Sequence, residues 1–142
     1  MSILKNIKSI SWREWSVSLY KISLITPIFI GAWGLIGFFG IILGWIGVLS
    51  FEPTVGLPWI ANFIYAAILF VNRISIKIKL FLSIIMIVFA LFAIGITSIP
   101  RDEGGGNYKV YVGFGFAFWI LSFICIFMEQ LNAYKKSKLS SP

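Results

Sequence analysis

Apolar residues in this chain gather into four long runs that are separated by short polar segments. A helix that crosses a hydrocarbon layer about 30 Å thick needs about 20 apolar residues. The runs therefore predict four transmembrane helices, at 27–50, 57–74, 80–100 and 110–128. Because the connections are short, successive helices should be antiparallel neighbours. The predicted fold class is an all-α integral membrane protein, a single domain built as an up-down-up-down bundle.

The segment 11–25, ahead of the first run, predicts an amphipathic helix. Ser11 and Glu14 have the spacing of a capping box, and large apolar residues follow at helical spacing on one face. That face carries Trp12, Trp15, Leu19 and Ile22. Tryptophan favours the headgroup region, so we expect this helix to lie in the membrane interface before Pro27 opens the first span. Two alternatives remain open: a cytosolic extension of the first span, or one long helix kinked at Pro27.

One stretch of the fourth run alternates in a way that is typical of a strand. From 112 to 119, small residues alternate with large ones. The small residues are Gly113, Gly115 and Ala117, and the large ones are Phe114, Phe116 and Phe118. An isolated strand in lipid would leave its backbone without hydrogen-bond partners, so we predict a helix here.

The basic residues divide unevenly between the two sides of this topology. Of the 12 Lys and Arg, all but Arg101 and Lys109 fall on the side of the termini, including the basic tail 129–142. Lys and Arg in short loops mark the cytoplasmic side. We therefore expect both termini in the cytoplasm. The formal net charge of +7 is then explained by topology and by anionic lipid headgroups, with no nucleic-acid partner.

Composition restricts the chemistry further. Apolar residues make up 59% of the chain and charged residues 12%, against about 25% charged in soluble domains. The chain has no histidine and a single cysteine, Cys125. These counts disfavour the common metal sites, His-based catalysis and disulfide exchange. We expect no catalytic residues, no cofactor and no metal.

Small residues recur at close helical spacing in the first and last predicted spans. Because lipid tails supply no hydrophobic drive between helices, close backbone approach at small residues matters more in membranes. The predicted packing positions are Gly37, Gly40, Gly44 and Gly47 in the first span, and Gly113 and Ala117 in the fourth. The alternative is that this face pairs two copies of the chain.

The remaining polar residues of interest lie on the predicted outer face. Glu52, Asn62, Asp102 and Glu103 are the candidates for an outward-facing site that takes a ligand or a partner. Asn62 falls just inside the second span, where a side-chain amide needs a hydrogen-bond partner. The alternative is a solvated loop beside one hydrogen-bonded asparagine.

Two strings carry a family resemblance. The first is Leu57 to Asn62, which reads LPWIAN, and the second joins Asp102 to Gly105 with 113–122, which reads GFGFAFWILS. Together they resemble a group of small bacterial four-helix membrane proteins that has no assigned activity. The resemblance covers the second and fourth spans and the loop before the fourth. It implies a bacterial inner membrane and implies no function.

We therefore expect a non-enzymatic membrane protein that acts by association. Its partners would be the lipid bilayer and either a second copy of itself or another membrane protein, as in an accessory or immunity protein. The main alternative is a small transporter or channel subunit that forms its pathway by oligomerising. A third possibility is an enzyme that acts on a lipid headgroup through Asp102 and Glu103.

Overall fold

A computed structural model describes residues 11–31, 34–100 and 106–139, and these residues are mostly helical. The helices are α1 (Trp12–Ile25), α2 (Gly37–Leu43), α3 (Trp45–Leu49), α4 (Pro53–Phe70), α5 (Ile76–Leu91) and α6 (Phe114–Leu139). A 3-10 turn, Phe92–Gly95, continues α5. The strands are β1 (Pro27–Gly31), β2 (Leu35–Ile36), β3 (Ser98–Pro100) and β4 (Asn107–Val112).

Helix α1 has the caps that its sequence encodes. The hydroxyl of Ser11 accepts a hydrogen bond from the backbone N–H of Glu14 at 3.2 Å, and the Glu14 carboxylate accepts one from the Ser11 N–H at 2.8 Å. The helix ends at Thr26, which is extended. A residue before proline is disfavoured in the α region, so Pro27 stops the helix there.

Helix α1 lies lengthwise against α6 and runs antiparallel to it. Near its start, the hydroxyl of Ser16 donates to the carbonyl of Ser122 at 2.7 Å. Beyond its end, the carbonyl of Pro27 lies against Gly115, where an added Cβ would come within 2.7 Å of it. The described chain thus begins and ends at the same end of the molecule.

That common end is rich in basic side chains, and we call it the basic end. Arg13 donates from Nη2 to the carbonyl of Leu69 at 2.7 Å, and Lys79 donates from Nζ to the carbonyl of Ile68 at 3.0 Å. These cations satisfy carbonyls in the last turn of α4, where a helix leaves acceptors unpaired. Five further basic residues lie at element ends on the same side: Arg73, Lys77, Lys135, Lys136 and Lys138.

The helical part buries a mainly apolar core that includes a few uncharged polar side chains, and its outside is apolar as well. Among the described residues, the buried polar side chains are Ser16, Ser23, Ser83, Ser122 and Gln130. Large exposed apolar side chains cover the outside, on α1, α2, α3, α5 and α6. Such a surface is far larger than the apolar patches that water-soluble monomers expose. Three helical segments are long and apolar enough to span a membrane: Pro53–Phe70, Ile76–Gly95 and Phe114–Leu139.

A small sheet lies at the opposite end, which we call the sheet end. It has four strands in the order β2-β1-β4-β3, and every described pair is antiparallel. Phe29 of β1 pairs with Val112 of β4, and Ser98 of β3 pairs with Lys109 of β4. Phe29 and Val110 are buried against the helices. The sheet therefore closes one end of the helical core.

The structure corrects the prediction of one helix over 27–50. That stretch folds as β1, β2 and two short helices, α2 and α3, which together cover only Gly37–Leu49. The physical reason is that β4 pairs with β1 and satisfies its backbone groups, so helix formation is no longer required. Pro27 begins β1, where its missing N–H costs little. The fold is thus not all-α, because it includes a sheet.

The other predicted spans correspond to helices with shifted bounds. The run at 57–74 folds as α4, which already begins at Pro53, and the run at 80–100 folds as α5 and its 3-10 turn before β3. The run at 110–128 begins as the last part of β4 and becomes helical at Phe114. The alternating residues 114–119 are therefore helical, as predicted. Val112, the first residue of the alternating stretch, is instead the last residue of β4.

The bounds of α1 agree with the predicted segment, and the helix packs along α6. Trp12, Trp15 and Ile22 are exposed, whereas Ser16 and Ser23 are buried. In a membrane a hydroxyl on a helix gains by packing, since it finds a partner only inside the protein.

Candidate functional site: an apolar cavity with a polar mouth

The described part of the chain forms a half-open cavity of about 610 Å³. Its walls come from α2, α3, α4, the 3-10 turn, β1 and β3. This volume lies within the range of small-molecule binding pockets, about 300–1,000 Å³. Its lining is predominantly apolar, with Ile28, Phe29, Ile41, Ile46, Val55, Ala93, Ile96 and Ile99 among the apolar contributors. An apolar chamber of this size is suited to an apolar guest.

Helices α2 and α3 form one wall and are held in place by close contacts at glycines. Gly37 lies against the backbone of Ser23, Gly44 against the ring of Trp59, and Gly47 against Val55. At each of these glycines an added Cβ would collide with its neighbour. The indole of Trp59 also donates to the carbonyl of Ile41 at 2.7 Å, which ties α4 to α2.

Gly40 differs from the other three glycines of this wall. No heavy atom outside its own helical surroundings lies within 4 Å of the place where its Cβ would be. Gly40 lines the cavity, so this free space is part of the chamber. The predicted GxxxG pair is therefore not one packing surface: Gly44 meets Trp59, whereas Gly40 faces the cavity.

The deep end of the cavity is closed by hydrogen bonds to Asn62. Its Oδ1 accepts from the hydroxyl of Tyr20 at 2.8 Å and from the indole N–H of Trp119 at 3.0 Å. Its amide nitrogen donates to the carbonyls of Pro58 and Trp59, both at 3.3 Å. The amide therefore has four partners and joins α1, α4 and α6 at one point. The hydrogen-bond partner that the sequence requires for Asn62 is thus present.

A second polar contact between helices lies beyond Asn62, toward the basic end. The hydroxyl of Tyr65 lies 2.8 Å from that of Ser16. Because Ser16 donates its own proton to the carbonyl of Ser122, Tyr65 is the donor of this pair. The rings of Tyr20 and Tyr65 stack with their centroids 4.6 Å apart. The stacking holds Tyr20, which donates to Asn62, in place. These contacts also lie between the cavity and the basic end.

The mouth of the cavity lies at the sheet end, around the turn between α3 and α4. Ser50, Glu52 and Ser98 contribute its polar side chains. Gly95 lies against Thr54, which brings the segment leading to Ser98 next to this turn. Glu52 is exposed and accepts a hydrogen bond from Thr54 at 2.8 Å. Within the described residues, the hydroxyls of Ser50 and Ser98 form no hydrogen bond.

Two of the four residues predicted for an outer site line this cavity. Glu52 lies at the mouth and Asn62 at the deep end. They are separated by ten residues of α4, or about 15 Å at 1.5 Å per residue. Asp102 and Glu103 lie outside the described residues.

Of the two predicted packing residues of the last span, Gly113 makes a close contact and Ala117 does not. An added Cβ at Gly113 would come within 2.5 Å of the carbonyl of Pro27. Ala117, by contrast, is exposed and makes no such approach. Gly115 makes the close contact in its place. A Cβ added at Gly115 would come within 2.7 Å of the carbonyl oxygens of Thr26 and Pro27. The two contacting glycines, Gly113 and Gly115, are two residues apart because the chain passes from β4 into α6 at this point.

Sequence reasoning missed several residues of this site. Tyr20 and Trp119 could have been noticed as polar aromatic residues that need partners in apolar segments. Ser50 and Ser98 carried no signal, because a serine at the end of an apolar run is ordinary. The bond from the Trp59 indole to α2 likewise had no local signal.

The chemistry of the cavity is that of binding. Its polar groups are hydroxyls, one amide, two indoles and one exposed carboxylate, and no cluster of metal-ligating side chains occurs among residues 11–31, 34–100 and 106–139. The deep polar groups are already hydrogen-bonded to each other. The chamber can therefore exclude water and surround an apolar molecule, with polar recognition confined to the mouth.

Comparison with known proteins adds no relative. The chain matches no protein-family model, and neither the curated proteins nor the solved structures contain a significant match. Function is therefore argued from the site alone.

Proposed function

We propose that the protein is a non-enzymatic membrane protein that works by association and binds a membrane component in the cavity between α2–α3 and α4. The observation that carries this proposal is the chamber of about 610 Å³ behind Gly40. Protein interiors are normally close-packed, with few voids larger than a water molecule. An apolar recess of this size leaves its wall atoms without contacts unless a molecule fills it.

The proposal includes four membrane crossings, made by α1, α4, α5 and α6. Three of the crossings use the long apolar segments, and α1 supplies the first. Helix α1 has 14 residues, or about 21 Å, and β1 continues its course toward the sheet end. Its outward face bears Trp12 and Trp15, which suit lipid contact near a headgroup region.

The basic end would face the cytoplasm of a bacterial inner membrane. Arg13, Lys79 and the basic ends of α5 and α6 support this orientation, because positive charge marks the cytoplasmic side. Both termini would then be cytoplasmic, and the mouth of the cavity would open on the opposite side. A ligand would reach the cavity from that side or from the outer leaflet.

Native mass spectrometry of the full-length protein, extracted from its membrane, tests the binding function. Gly40→Phe should fill the chamber without a collision, since the space in front of Gly40 is open. Ile42→Phe is the matched control, because Ile42 is exposed on the same helix. We expect a bound small molecule on the unchanged protein and on Ile42→Phe, and none on Gly40→Phe. Equal spectra for all three proteins would overturn the proposal.

A transporter or channel subunit is the second candidate, favoured by the depth of the cavity. It extends from Glu52 to Asn62, about 15 Å along α4, and the hydrogen bonds of Asn62 close it beyond that point. This arrangement is half of a path across the membrane. Flux of a bound solute into liposomes, with a stable oligomer in detergent, would select this candidate over association alone.

A further inference from the structure

We infer that the occupant of the cavity is an amphiphile with an alkyl chain and a primary ammonium head, with the chain in the chamber and the head beside Glu52. This inference rests on the proposed function, and it adds the chemical class of the ligand and its orientation. It is carried by the separation of the lining into a deep end whose polar groups are hydrogen-bonded and a mouth whose three polar side chains, Ser50, Glu52 and Ser98, keep oxygens that can accept.

The deep end calls for an apolar guest. Asn62 has four hydrogen-bond partners, and the indole of Trp119 and the hydroxyl of Tyr20 are both engaged by it. The hydroxyl of Ser23 donates to the carbonyl of Tyr20 at 2.7 Å. A polar guest at this depth would lose its own hydration and gain no partner, which costs several kcal/mol. An alkyl chain has no such loss.

The polar groups of the mouth favour a ligand that donates hydrogen bonds. Ser50 and Ser98 present hydroxyl oxygens, and Glu52 presents a carboxylate with only one oxygen occupied, by Thr54. All three groups can accept. A primary ammonium has three N–H donors and no acceptor, so it suits a mouth whose side-chain oxygens can accept. A quaternary ammonium has no N–H to donate.

The charge of the mouth decides against an anionic head. No basic residue is found among the described residues that line the cavity, whereas Glu52 is acidic. A carboxylate or phosphate placed there would face Glu52, and no described lining residue would supply a compensating cation. A primary ammonium would be attracted to it, weakly because Glu52 is exposed to solvent.

Two sources can supply this head: a free long-chain amine, or phosphatidylethanolamine from the bilayer. Both share the primary ammonium. They differ in that the lipid also brings a phosphate, for which the described lining has no cation. The experiment therefore needs one arm for each source.

The test measures tryptophan quenching by brominated alkyl probes in phosphatidylcholine nanodiscs. Trp59 and Trp119 line the cavity, so a bromoalkyl chain in the chamber quenches them. The probes are bromododecylamine, bromododecanol and bromododecanoate, which share the chain and differ in the head. The proteins are the unchanged chain, Gly40→Phe, Ile42→Phe and Glu52→Gln. In Gly40→Phe the chamber is filled, so the quenching that remains comes from probe dissolved in the bilayer.

The expected result is saturable quenching by the amine in the unchanged chain and in Ile42→Phe, and its loss in Gly40→Phe. The alcohol should bind about fivefold more weakly, and Glu52→Gln should bring the amine to the level of the alcohol. Equal affinity for all three heads, with loss in Gly40→Phe, would overturn the ammonium inference and leave the binding function intact. Identical quenching in the unchanged chain and Gly40→Phe, for every probe, would overturn the binding function itself.

The final arm identifies the source. Nanodiscs that contain phosphatidylethanolamine should reduce amine quenching if the lipid is the occupant, and should leave it unchanged if a free amine is. Either result is compatible with the shared ammonium chemistry. If Glu52→Gln binds the amine as tightly as the unchanged protein does, the placement of the head at Glu52 is wrong for both sources.

Discussion

The hydroxyl of Tyr20 donates a 2.8 Å hydrogen bond to Oδ1 of Asn62 and thereby joins α1 to α4 at the deep end of the cavity. The indole of Trp119 on α6 shares the same acceptor. One amide oxygen therefore connects three helices. In lipid such contacts matter because the helices gain little from hydrophobic association.

Asn62→Leu should destabilise the protein. The change leaves the hydroxyl of Tyr20 and the indole N–H of Trp119 without their acceptor, at about 1–3 kcal/mol for each buried unsatisfied group. Tyr20→Phe removes one donor and leaves Asn62 with the other, so its effect should be smaller. Unfolding in mixed micelles, followed by circular dichroism, measures both. If Asn62→Leu were as stable as the unchanged protein, the network would not be what holds the helices together.

Leucine substitutions at Gly40 and Gly44 should have opposite effects. At Gly44 the new side chain collides with the ring of Trp59, and at Gly40 it enters open space. Gly44→Leu should lower the thermal midpoint in detergent, whereas Gly40→Leu should keep or raise it, since replacing a helical glycine contributes up to about 1 kcal/mol. Equal losses at both positions would mean that Gly40 is packed and that the chamber is closed.

Cysteine labelling distinguishes α1 as the first crossing from a first crossing by 27–50. In a Cys125→Ser background, Gly34→Cys should react with an impermeant maleimide added outside intact cells, because the β1–β2 connection then lies at the outer surface. Ser75→Cys, in the turn between α4 and α5, should react only after permeabilisation. Both positions belong to exposed residues. Protection of residue 34 on both sides would restore the crossing by 27–50.

Arg13→Met should weaken the basic end by about 1 kcal/mol, because the carbonyl of Leu69 loses its donor. The carboxylate of Glu129 should add to this loss of stability, because its Oε2 is buried and has no hydrogen-bond partner among the described residues. Lys21→Met is the matched control, an exposed basic residue of the same helix with no hydrogen bond in the described part of the chain. Equal stability of the two variants, measured by urea unfolding in micelles, would show that Arg13 does not support the α4 end.

The sequence by itself determined the membrane character of the protein and the segments that form its long helices. Apolar runs of the required length predict where α4, α5 and α6 lie, because in lipid the backbone must bond within the helix. Helix α6 nevertheless continues past the predicted end at 128 to Leu139. Ser11 and Glu14 likewise encode the start of α1, since a capping box is a local interaction. Asn62 and Glu52 could be selected as polar residues in apolar surroundings, without any indication that one cavity joins them.

Tertiary structure alone decided the course of 27–50 and the existence of the cavity. Residues 29–31 form a strand because 110–112, about 80 positions later in the chain, pair with them, and a pairing at that separation leaves no mark in a local pattern. The apolar run 27–50 could equally have formed a helix, with its backbone hydrogen bonds made within the run. In the same way, Ser16 of α1 finds its partner in the carbonyl of Ser122 on α6, a contact that no local pattern indicates. The free space at Gly40 has no sequence signature, since a glycine that packs and a glycine that lines a chamber are the same residue.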